Sequence, residues 1–336
     1  MMKSRTGLII VPVIIGLGVV VWLFAREFSI EAWRSIHWSL RTAGGIVLAW
    51  IAMGGREYGL AWRFRALTDR QLSWKQAFKV TMLCEFTSAV TPTTAGGSAL
   101  SMVFMKREGI DYGRGTTLMM STLFLDELFY VIACPLLFLF ISGHEIFGFA
   151  PGTVGAGIRT AFWIVYGGIC LITVLLYTGI FISPGAVGGI LQWFTSFRWF
   201  RKWRPKAIEL RRTMVDTGHD LRSRPLSWWL EALGATVTTW VSRYLVVNAL
   251  FWGIVAAAPQ AVIFARQFIV WTLLTVSPTP GGSGVSEWLF TTYYGDLIGD
   301  VSVALVIAVF WRIITYYIYL AIGAIMVPAW IKNRKK

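Results

Sequence analysis

The chain has 336 residues, 56% of them hydrophobic and only 14% charged, with 18 tryptophans and a net charge of +14. That leaves too little polar surface to cover a soluble globule and predicts a membrane protein. The basic residues flank apolar runs instead of forming one stripe, which argues against nucleic acid as a partner.

The first apolar run, 7–25, follows Lys3 and Arg5. It is longer than a signal-peptide core and lacks a small-x-small cleavage site after it, so it is expected to remain as a first helix. Further spans are predicted at 43–62, 116–141, 160–182, 228–252 and 302–328, six crossings in all. Each is long enough for a hydrocarbon core of about 30 Å at about 1.5 Å per residue. Cys84, Cys134 and Cys170 are odd in number, widely spaced and set in apolar segments. They read as small core residues, with neither disulfide nor metal spacing.

Two segments break the pattern: "TPTTAGGS" at 91–98 and "SPTPGGS" at 277–283 interrupt apolar sequence with Pro and Gly. Basic loops mark the cytoplasmic face: "WRFRALTDR" (62–70), "KREGIDYGRG" (106–115) and the stretch 183–225, with nine Lys or Arg against three acids. If all of these are inside, with both termini, 76–105 must enter and leave on one face and 267–295 on the other. The basic loops are either topology signals alone or also contacts for anionic lipid headgroups.

This threading predicts an all-α polytopic membrane protein with an inverted-topology repeat: 1–182 as the first unit, 183–225 as a basic cytoplasmic loop, 226–336 as the second unit with a basic tail. The broken segments would meet near the midplane and form a substrate site. Pro92, Gly96 and Gly97 in the first break, and Pro278, Pro280, Gly281, Gly282 and Gly284 in the second, are its candidate backbone residues. The plainer alternative is a helix kink or a Gly-Gly packing contact. Gly55/Gly59 and Gly185/Gly189 have small-xxx-small spacing, weak grounds for a homo-oligomer.

Eight charges fall inside apolar segments: Arg56, Glu57, Glu85, Asp126, Glu127, Arg243, Glu287 and Arg312, while Arg266 is expected at an entrance. Each would cost at least about 2.5–3.5 kcal/mol facing lipid, so they must pair or line a wet cavity. Asp126 lies 29 residues after Gly97 and Arg312 lies 30 after Gly282, so opposite charges occupy corresponding places. Arg312 and Arg243 are the expected phosphate contacts. Asp126 and Glu127 would hold Arg312 or read a positive headgroup, and Arg56, Glu85 and Glu287 complete the candidate binding set. A structural ion pair is the alternative for each.

"SPTPGGSGVSEWLF" (277–290) resembles the P-x-PGG-x-G-x-x-E motif of the lysylphosphatidylglycerol synthase transmembrane family, the flippase-type half of bacterial multiple peptide resistance factors and their stand-alone relatives. "TPTTAGGSALSMVFMKREGI" (91–110) and "FWRIITYYIYLAIGAI" (310–325) are similar to its earlier Gly-Gly element and its Arg-containing last helix. The resemblance implies translocation of aminoacylated or other polar phospholipids in a bacterial cytoplasmic membrane, without a cofactor. The chain departs from the pattern at Ser98, where many relatives have Glu, and at Leu125, where an Arg is expected beside Asp126; an Asn often found before the first Pro is missing. These departures leave the headgroup open. No nucleotide-binding loop, zincin motif or nucleophile elbow occurs, so no enzyme is expected. A membrane-embedded headgroup transferase, or a scaffold for a partner lipid-modifying enzyme, are the alternatives.

Overall fold

The structure is a computed structural model that describes residues 38–91, 95–110, 112–147, 152–183, 189, 192–193, 195–197, 201–255, 257–277, 279–282 and 284–332. The predicted first helix at 7–25, together with Pro92 and Pro278, lies outside them. Among the described residues the fold is all helical, with no strand.

The helices run in chain order α1 (Leu40–Leu67), α2 (Trp74–Val90), α3 (Ala95–Arg107), α4 (Tyr112–Phe140), the short α5 (Gly143–Phe147) and α6 (Gly152–Tyr177). There follow α7 (Arg204–Arg222), α8 (Leu226–Ile254), α9 (Gln260–Leu274), α10 (Val285–Ile298), α11 (Val301–Arg312) and α12 (Ile318–Lys332). A π-helical turn, Ile313–Tyr317, joins α11 to α12 without a break in direction. Among the described residues three stretches are long and apolar enough to cross a membrane: Leu118–Phe140, Val154–Ile182 and Ser302–Pro328. The last is 67% buried against 28% and 22% for the other two, so it is central and they are peripheral.

Helices α1 and α8, of 28 and 29 residues, are also long enough to span, but buried charges interrupt their apolar surface. They pack antiparallel through small residues. A Cβ on Gly45 would lie 2.5 Å from the Gly253 Cα, and one on Gly59 would lie 2.5 Å from the Thr239 hydroxyl. Gly55 faces Ser242 in the same seam. The Gly55/Gly59 motif is therefore engaged within the chain, between α1 and α8.

Both breaks form helix–break–helix units: α2 and α3, of 17 and 13 residues, and α9 and α10, of 15 and 14. The second begins seven residues before the expected 267, because Pro259 caps a helix that starts at Gln260. Lys79 Nζ meets Glu108 at 2.5 Å across the open end of the first unit. Arg266 Nη1 meets Asp296 Oδ1 at 2.5 Å across the second. Arg266 is buried, at the open end of this unit. The basic stretch 183–225 contains α7, and Trp62–Leu67 continue α1 instead of forming a loop. Cys84 and Cys134 are buried free thiols and Cys170 is half-buried and free.

Candidate functional site

The second break is a single 3-10 turn, Pro280–Gly282, with Gly281 at φ 57° and Gly282 at φ 72°. These are left-handed conformations that L side chains resist. A Cβ on Gly281 would fall 1.9 Å from the Tyr316 ring. Glycine is required there by both backbone and space. Gly284, at φ 84°, precedes α10, and its N–H donates to Glu287 Oε2 at 2.6 Å. The same Glu287 meets Arg312 Nε through Oε1 at 2.7 Å. Arg312 Nη1 donates to the Gly281 carbonyl at 2.9 Å, and the guanidinium lies 3.9 Å from the Tyr316 ring centroid. Arg312, Glu287 and Tyr316 therefore clamp the glycine turn onto the central helix.

The end of α2 arrives at the same place. Tyr316 Oη donates to the Ala89 carbonyl at 3.2 Å, three residues before Pro92. Between α2, α8, α9, the turn and the π-helical stretch lies a cavity of about 70 Å³. Glu85 and Ser88 of α2, Arg243 of α8, Trp271 of α9, Gly281, Gly282 and Arg312 are on its walls. One water needs roughly 10–15 Å³ on this measure, so several waters or one phosphate-sized group fit, and an acyl chain does not.

Buried ion pairs surround the cavity. Arg56, 4% exposed, meets Glu57 at 2.5 Å and Glu85 at 2.8 Å, and donates to Tyr319 Oη at 3.1 Å. Tyr319 in turn donates to Glu57. Arg243 lies 3.6 Å from the centroid of the Trp271 ring. Its Nε is buried with no hydrogen-bond partner.

The geometry brings together Arg312, Arg243, Glu85, Glu287, Gly281 and Gly282 of the expected set, with Arg56 behind Glu85. Pro280 opens the turn. Gly96 and Gly97 fall in the first turn of α3. Asp126 is placed differently from the expectation: it accepts from Arg63 Nη1 at 2.5 Å and from Trp240 Nε1 at 2.8 Å, and it does not hold Arg312. Arg312 is held instead by Glu287, and Asp126 is left to Arg63 of α1. Glu127 is outside the cavity lining, with Oε2 buried and unpartnered. Arg63 is the residue sequence reasoning missed, because it was read as part of a basic loop. It lies seven residues after Arg56, two helical turns on, and that spacing is the signal that both share one face. Among the described residues no group of three or more His, Cys, Asp or Glu is placed to hold a metal.

Residues 9–323 match the family model described as the lysylphosphatidylglycerol synthase TM region. The chain is also similar to a UPF0104 membrane protein from Archaeoglobus fulgidus, 24% identical over 267 residues, covering 76% of each chain. No solved structure matches it. With its glycine turn and Arg312 inside the matched residues, this multi-pass membrane protein belongs to the lysylphosphatidylglycerol synthase transmembrane family.

Proposed function

We propose that the chain moves charged phospholipids, aminoacylated or otherwise polar, between the two leaflets. The observation that carries this reading is the meeting of the second break, the end of α2 and buried arginines at one polar cavity. Helices of 13 to 17 residues are too short to cross a core of about 30 Å, so α2–α3 and α9–α10 act as oppositely oriented re-entrant hairpins. The ion pairs Lys79–Glu108 and Arg266–Asp296, each across the open end of its unit, support an inverted repeat. Backbone that leaves the helical path at that depth needs a protein wall or water around it, and the cavity provides both.

The cavity admits a headgroup while the acyl chains stay in lipid. Its walls carry both signs: Arg243 and Arg312 suit a phosphate, and Glu85 suits an amine. The host membrane is a bacterial cytoplasmic membrane with both termini inside, and the basic cytoplasmic segments rest against anionic headgroups. No bond is made or broken in this reading.

The test uses purified protein in liposomes carrying a fluorescent phospholipid. Wild type is expected to expose inner-leaflet label to an external quencher without changing the lipid chemically. A modified lipid would favour a membrane-embedded transferase. Neither movement nor modification would leave a scaffold for a partner enzyme and would reject translocation.

A further inference from the structure

Three arginines surround the cavity, and two of them have carboxylate partners: Arg56 with Glu57 and Glu85, and Arg312 with Glu287. Arg243 has no ion pair or hydrogen bond among the described residues. What it has is Trp271, 3.6 Å from its guanidinium carbon.

The pairing of the two units shows how this arises. Gly96 and Gly281 are 185 residues apart, and nearly the same offset takes Arg56 to Arg243 and Glu85 to Trp271. In the first unit the arginine on the long helix meets a carboxylate on the broken one at 2.8 Å. In the second unit an indole stands in the carboxylate's place. Stacking on an indole uses the face of a guanidinium and leaves its edge donors available, so the arginine stays poised for a planar, bidentate anion. The hydroxyls of Ser277 and Thr279, 3.1 Å apart, lie on the same cavity wall. The electrostatic neighbours of Arg243 include Arg56, Glu85, Tyr319 and Tyr130, and the carboxylate among them, Glu85, is already engaged with Arg56.

We propose that Arg243, held over the Trp271 ring, is the residue that takes the phosphate group of the ligand, and that Arg312 is a positioning residue for the glycine turn. The inference rests on the lipid-translocase reading for the source of that phosphate. It reassigns the leading role from Arg312, whose donors already hold Glu287 and the Gly281 carbonyl.

The experiment places the full chain in nanodiscs of a phosphorus-free, uncharged glycolipid and titrates short-chain phosphatidylglycerol in one arm and inorganic phosphate in the other. Melting temperatures are recorded for each variant. Arg243→Gln is expected to bind phosphatidylglycerol roughly tenfold to a hundredfold more weakly, the range of one or two charge-assisted hydrogen bonds. Its melting temperature should stay near wild type, because no carboxylate loses its partner. Arg243→Lys should recover part of the binding, keeping charge without the fork. Arg243→Gln binding as wild type, or melting well below it, would overturn the assignment and make Arg243 a packing residue. If wild type binds inorganic phosphate and ignores the lipid, the anion site stands and translocation falls. If lipid moves in liposomes equally well with Arg243→Gln, translocation stands and Arg243 leaves the site.

Discussion

Gly281 has no room for a methyl group, since the Tyr316 ring fills the place where a Cβ would sit. Gly281→Ala therefore meets two costs: about 1–2 kcal/mol for a left-handed backbone and about 1–3 kcal/mol for overpacking. Gly284→Ala meets only the first, because nothing lies within 4 Å of its Cβ position. Detergent melting should rank wild type above Gly284→Ala and Gly284→Ala above Gly281→Ala. A Gly281→Ala protein as stable as wild type would show that Tyr316 swings aside and the clamp is loose. Arg63 supplies the second test at this scale. Arg63→Ala leaves the half-buried Asp126 with the Trp240 indole as its donor, a loss between the about 0–1 kcal/mol of an exposed pair and the about 3–5 kcal/mol of a buried one, whereas Arg63→Ala with Asp126→Ala should recover much of it. Equal stability of the single and double variants would remove the pair from the fold's support. That charges lay inside the membrane was legible in the sequence, because apolar flanks make each of them costly. Which charge meets which was not: Arg63 and Asp126 are 63 residues apart, and no local pattern encodes the depth at which two helices cross.

Each broken element is closed at its open end by an ion pair, but the two pairs differ in surroundings. Lys79 is 40% exposed, whereas Arg266 is 3% exposed and also donates to the carbonyls of Tyr293 and Glu145. Their acidic partners, Glu108 at 11% and Asp296 at 34% exposure, leave neither pair wholly buried. What separates the pairs is the hydrogen bonding of Arg266 to two carbonyls, each bond about 1.5–3 kcal/mol for a charged donor, against about 0–1 kcal/mol for a partly exposed pair. Arg266→Gln should accordingly lower the melting temperature clearly, and Lys79→Gln should change it little. The reverse order would mean that the first unit, not the second, anchors the fold. The breaks themselves were readable because Pro and Gly cannot be accommodated quietly inside an apolar helix. The helix α7 was hidden by its charge, since a polar helix gives no hydropathy signal. The last turns of α1 were hidden for the same reason, and with them Arg63. The glycines of α1 were legible as a motif but not as to partner, because spacing alone does not say whether the facing helix belongs to the same chain.

At the scale of the whole molecule the loops fall into two groups joined by polar contacts. Asp69, in the turn after α1, accepts from Arg224 at 2.7 Å, from Trp228 at 3.0 Å and from Arg114. Those residues belong to the starts of α8 and α4, so three segments flanked by basic residues gather on one side. In a second group Arg266 ties the α5 region, through the Glu145 carbonyl at 2.8 Å, to Asp296 near the end of α10. The segments gathered there, 143–147 and 296–300, carry acidic residues and no Lys or Arg. Positive charge marks the cytoplasmic face, and on that rule we propose that the Asp69 group lies inside and the Asp296 group outside. In that proposed orientation the first broken unit would open inward and the second outward, as alternating access to one central cavity requires. Single cysteines placed within 106–115 and within 296–300, on a background with Cys84, Cys134 and Cys170 replaced by Ala, should react with a membrane-impermeant maleimide from opposite sides of intact cells. The 296–300 site should label from outside, and the 106–115 site only after permeabilisation. If both label from the same side, the two hairpins share an orientation, the repeat is not inverted, and the cavity between them cannot be reached in turn from each leaflet.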